Sequence, residues 1–160
     1  MNYFNSRKVG QLPATLLVGL VVAVTMGIGT TINFLSSGGK NPIRLLQFVS
    51  SGLFGGDAFA DENKLFMTWM GMFLHFFVSW GWAILYFILY NKITSLVKNK
   101  WRSGICFGLL IWMMMALVVM PLSKAPHVSF EFTGALFDIV IIIVGAGLPI
   151  ALLTNRYFKS

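Results

Sequence analysis

Four long apolar stretches dominate the chain, at residues 13–35, 66–90, 104–122 and 132–153, with short polar segments between them. A helix needs about 20 residues to cross about 30 Å of hydrocarbon. Each stretch comes close to that length or exceeds it, and none contains a lysine or arginine. The pattern predicts an all-α fold: a four-helix transmembrane bundle making a single integral membrane domain. The segment between the first two stretches has a pattern of its own. Asn41 and Pro42 form a helix-start signal, because Asn caps well and Pro fits the first helical position. Arg44, Gln47 and Ser51 then recur on one face, and Leu45, Leu46, Val49 and Leu53 on another. An amphipathic helix over residues 42–54 follows, lying at the interface or folded against the bundle mouth, and Gly55 and Gly56 end it.

Composition agrees with this pattern. Of 160 residues, 57% are hydrophobic and 11% charged, whereas a soluble domain carries about a quarter charged residues. The net charge of +7 raises the question of a nucleic-acid partner. The basic residues, however, sit in the segments between apolar stretches, where they report topology. Arg7, Lys8, Lys92, Lys98, Lys100, Arg102, Arg156 and Lys159 must share one side of a four-span bundle, and they are eight of the twelve. The positive-inside rule puts both termini in the cytoplasm and the 42–54 helix in the first extracytoplasmic loop. Arg7 and Lys8 ahead of the first stretch suggest a signal peptide, but the apolar run exceeds the typical h-region of about 7–15 residues, so it is read as a retained span. Cys106 is the only cysteine, which excludes an intrachain disulfide and a cysteine metal cluster.

Two ionisable residues interrupt the apolar runs: His75 in GMFLHFFVSW and Asp138 in TGALFDIVIIIVGAG. At 1.5 Å per residue, His75 lies about 13 Å and Asp138 about 9 Å from the extracytoplasmic ends of their spans. Topology is thus expected to bring the two groups to one level in the extracytoplasmic half, with Thr30 and Asn33 of the first span at the same level. An unpaired carboxylate in hydrocarbon is costly, so Asp138 is expected to be protonated or paired. The expectation is a polar cluster of His75, Asp138, Asn33 and Thr30, forming a ligand or proton site. The bland alternative is hydrogen bonding that fixes helix register.

Metal chemistry finds thin support. Met67, Met70, Met72, His75, Met120 and His127 lie toward one side and thioethers suit Cu(I), but Met70 and Met72 face different sides of a helix, and Met113, Met114 and Met115 read as core filler. One histidine within the spans argues against bis-histidine haem. No HExxH, CxxC or glycine-rich phosphate loop is present. Neither metal nor cofactor is expected, and an enzyme is the weaker reading. Trp69, Tyr86, Tyr90, Trp101 and Tyr157 are expected in an aromatic belt. Gly19 with Ala23, and Gly104 with Gly108, are small-xxx-small pairs that let helices approach, within one chain or between copies. Two functions follow. One is binding or transport of a small solute, ion or proton through the His/Asp cluster. The other is a structural or accessory membrane subunit, whose polar groups only fix packing and which meets a partner membrane protein or a second copy.

The residues Asn41, Pro42, Arg44, Leu46, Gln47, Ser51, Gly52, Gly55, Ala58 and Phe59, with Leu74, His75 and Phe76, carry a resemblance. The pattern NPxRxLQxxSGxxGxxAF, followed by LHF in the second span, resembles a family of small four-span bacterial inner-membrane proteins. The resemblance implies topology and a bacterial origin, and it implies no activity. After the AF this chain has ADENK where the family often has a glycine pair. The likeness makes the loop helix and His75 a single candidate site, with Arg44 and Gln47 at the bundle mouth and Arg44 placed to meet an anionic headgroup or small acid.

Overall fold

The computed structural model describes residues 3–126 and 132–159, and side chains within 12–93, 97–126 and 132–158. His127 lies outside them, as do the side chains of Arg7, Lys8 and Lys159. Among the described residues there is no strand. The chain forms α1 (Tyr3–Ser36), α2 (Ile43–Phe54), α3 (Lys64–Leu96), α4 (Lys100–Met114), α5 (Met120–Leu122), α6 (Phe132–Ile142) and α7 (Leu148–Lys159). Helices covering Leu12–Ser36, Asp61–Ile93, Lys100–Leu122 and Phe132–Phe158 are long and apolar enough to cross a membrane. The fold is an all-α, multi-pass membrane bundle with one short helix, α2, crossing its far end.

The third and fourth spans are not straight α-helices. A π-turn, Met115–Val119, joins α4 to α5, and another, Ile143–Gly147, joins α6 to α7. Each precedes a proline, Pro121 or Pro149. Proline has no N–H and its ring crowds the carbonyl four residues earlier. Those carbonyls belong to Leu117 and Gly145, both inside the π-turns, where the wider turn relieves the crowding.

The core lies toward the end that holds both termini. Val18, Val22, Ala83, Tyr86, Tyr90, Phe107, Ile111, Ala146, Ile150 and Ala151 form one buried cluster. Glycines set its spacing. A Cβ on Gly147 would overlap the carbonyl oxygen of Gly104, and one on Gly108 would lie 2.8 Å from Ile143 Cα. Backbones therefore touch there, as membrane helices with small interfacial residues do.

Two expectations need correcting. Tyr86 and Tyr90 are buried rather than belted, because each hydroxyl finds a partner inside. Tyr86 and Ser103 share a 2.6 Å bond, and Asn155 Nδ2 donates to Tyr90 Oη at 3.0 Å. Met113 and Met114 are exposed rather than core filler, since α4 gives its packed face to Phe107, Gly108 and Ile111, and only Met115 reaches the core.

Candidate functional site

α2 is positioned by its ends and one face. Asn41 Oδ1 accepts a bond from Ile43 N at 3.1 Å at its start. At its end Gly55 adopts φ +63°, open to glycine, and Lys124 N donates to Gly52 O at 2.9 Å, tying the helix to the segment after α5. Along its length the backbone presses on α3: a Cβ on Gly71 would overlap the Leu46 carbonyl oxygen. Its polar face is used internally. Gln47 is 2% exposed and donates from Nε2 to Ala58 O at 3.0 Å, and Ser50 and Ser51 are fully buried, bonded to the carbonyls of Gln47 and Phe48. Arg44 is exposed and its guanidinium carbon lies 6.0 Å from the Phe59 ring centroid.

The other face of α2 roofs a groove of about 520 Å³ between α1 and α3. Pro42, Ile43, Leu45, Leu46 and Val49 form the roof, Met72, His75 and Phe76 one wall, and α1 from Ala23 to Ile32 the other. Val24, Ile28, Ile32 and Met72 are exposed at its rim, on the outward side of the bundle. Apart from His75, its side-chain polar groups are the Thr30 and Thr31 hydroxyls, and Thr30 Oγ1 donates back to Met26 O at 2.8 Å.

His75 sits where α1 and α3 cross. Its Nε2 lies 2.9 Å from Ala23 O, and since a carbonyl only accepts, Nε2 carries the proton. In the neutral ring Nδ1 is then an acceptor. Gly27 faces the ring, and a Cβ added there would stand 3.7 Å from Nε2, an ordinary contact. Trp80 repeats the device lower down, where Nε1 donates to Leu16 O at 3.1 Å and the indole occupies the space over Gly19. The stripe Gly19, Ala23, Gly27 thus receives two rings of α3, each donating N–H to a carbonyl of α1.

Asp138 is elsewhere. α1 turns a second face to the fourth span, where a Cβ on Gly29 would lie 3.0 Å from Ile141 Cγ2 and one on Gly145 would lie 3.0 Å from Met26 Sδ. Continuing that antiparallel register places Asp138, three residues above Ile141, level with Ile32 and Asn33. His75 is level with Ala23 and Gly27, about 11 Å lower along α1 by helical rise. Helix α1 therefore stands between the two ionisable groups. Thr30 and His75 share the groove, Asn33 and Asp138 lie level with one another by register, and Arg44 and Gln47 lie on the face of α2 turned away from the groove. Asp138 is exposed, and it has no hydrogen bond or ion pair among the described residues. No three His, Cys, Asp or Glu side chains gather as a metal site would need, among the same residues.

One interhelical bond has no counterpart in the sequence reading. Thr25 Oγ1 is within donating reach of Gly145 O, the carbonyl four residues before Pro149, as well as of Val21 O and Val22 O in its own helix. Because Pro149 offers no N–H, that carbonyl is short of its α-helical partner, and the Thr25 hydroxyl supplies a donor across the bundle. The proline was the available signal, but it does not say which hydroxyl faces the freed oxygen. No family model, curated protein or solved structure matches this chain.

Proposed function

We propose that the protein is a membrane binding protein that holds a lipid-like molecule, an apolar chain with one hydroxyl, in the groove beneath α2. The observation that carries this reading is the groove itself: its walls are aliphatic and aromatic, its rim faces the side where lipid lies, and His75 is its one ring nitrogen source. Ligand pockets of this kind are mostly apolar with a few placed polar groups. With Nε2 held by Ala23 O, Nδ1 accepts from the ligand hydroxyl, and the chain runs beneath Leu45, Leu46 and Val49. An ion or proton pathway draws less support, because α1 separates His75 from Asp138. The excess of basic residues at the terminal end supports cytoplasmic termini, so that the groove opens in the outer leaflet, and the likeness of the NPxRxLQxxSGxxGxxAF segment supports a bacterial inner membrane.

The test is equilibrium binding of a fluorescent long-chain alcohol to the purified chain in nanodiscs. His75→Phe, which keeps an aromatic ring but loses both the Nδ1 acceptor and the Nε2–H bond to Ala23 O, weakens binding several-fold, and Val49→Trp, which fills the groove, abolishes saturable binding. Equal binding by wild type and both variants overturns the proposal.

The accessory-subunit reading has a specific observation of its own. His75, Trp80, Thr25 and Gln47 all donate to backbone carbonyls of neighbouring segments, which stitches the bundle together.

A further inference from the structure

We propose that α6 is a docking face for a transmembrane helix of another protein, one that carries a lysine or arginine at the depth of Asp138. This inference is independent of the groove. The helix has no buried residue, and Phe132, Leu136, Phe137 and Val140 are exposed along it. Asp138 lies about 9 Å from the start of α6 by helical rise, and it has no partner among the described residues. A carboxyl at that depth must be protonated or paired, and a cation is the partner that would let Asp138 carry its charge there.

Charge complementarity selects the occupant. Asp138 is the only Asp, Glu, Lys or Arg within residues 13–35, 66–90, 104–122 and 132–153. A second copy of this chain would add another carboxylate and no cation, and a purely aliphatic helix would leave the carboxylate unpaired. A lysine or arginine supplies the opposite charge, on a side chain long enough to reach Asp138 where it stands exposed on α6. The side chain of Asn33, level with Asp138 by register, has no hydrogen bond among the described residues and offers its amide oxygen as a further acceptor. The partner helix would run along the exposed Phe137 and Val140 with its cation turned toward Asp138.

The experiment uses the full chain in lipid bilayers with a donor fluorophore. Acceptor-labelled synthetic helices of leucine, oriented by a charged tag at one end, carry a single lysine at the depth of Asp138, a lysine two turns deeper, or none. The helix with the matched lysine associates about tenfold more tightly than the all-leucine helix, and Asp138→Asn removes the difference while Asp138→Glu keeps most of it. Equal association of all three helices with the wild-type chain overturns the proposal without recourse to a variant, as does a lysine preference that survives in Asp138→Asn. Self-association of the wild-type chain that Asp138→Asn abolishes, measured without any helix added, would assign the face to a second copy and also overturn it.

Discussion

The two ends of the bundle are built on different terms. At the terminal end, polar groups sit inside and most are paired: Tyr86 with Ser103, Tyr90 with Asn155 and stacked at 4.2 Å on Phe158, while the Thr154 hydroxyl is buried without a partner among the described residues. Backbone meets backbone at Gly104, Gly108 and Gly147. At the far end the helices part. A groove remains between α1 and α3, α6 buries nothing, and Asp138 is exposed. The closed end supplies rigidity and the open end supplies surface. Membrane helices gain no hydrophobic drive from meeting one another, so contact must come from small residues and hydrogen bonds. Where the sequence provides those, the helices close, and where it provides leucine, valine and phenylalanine they face lipid or a ligand.

The largest effect is expected from Gly147→Leu. Its side chain would have to displace the Gly104 backbone, and overpacking of this kind costs about 3 kcal/mol or more. Unfolding in a denaturing detergent would show it, and a wild-type midpoint would mean the terminal end is not the anchor. Next comes Gly71→Leu, which cannot fit beneath Leu46. It should release α2 and abolish alcohol binding while leaving the four spans folded, read as fast hydrogen exchange confined to α2. Exchange that rises throughout the bundle would erase the proposed division between the ends.

Smaller effects sharpen the comparison. Tyr86→Phe leaves the Ser103 hydroxyl unpartnered and should cost about 1–2 kcal/mol in the same unfolding assay. Thr25→Val removes the donor to Gly145 O and should cost about 0.6 kcal/mol, the average for a hydrogen bond between membrane helices. Asp138→Asn, at the open end, should change stability by less than about 0.5 kcal/mol. A cost at Asp138 equal to that at Tyr86 would place Asp138 in the packed structure.

The all-α four-span bundle was legible because apolar runs of this length have few alternatives, and α2 because Asn41, Pro42 and the 3.6-residue period announce it. The glycine contacts were half legible: Gly104 and Gly108 stand out, but their partner at Gly147 is set by how the fourth span bends at its π-turn. The partners of His75, Trp80 and Thr25 were not legible, since all three donate to backbone carbonyls, which every residue possesses. Depth computed from helical rise puts His75 and Asp138 at one level, whereas their register against α1 sets Asp138 about 11 Å farther out. Facing could not be computed, because it depends on α1 turning Gly27 to one neighbour and Gly29 to another.

The most direct measurement of the central claim is photolabelling of the chain in nanodiscs by a long-chain alcohol bearing a diazirine, with the labelled residues found by mass spectrometry. The account predicts labels concentrated on Thr31, Leu46, Val49 and Met72, and lost on competition with unlabelled alcohol. Labels spread evenly over lipid-facing positions such as Leu109, Leu117 and Val144, and insensitive to competition, would contradict it.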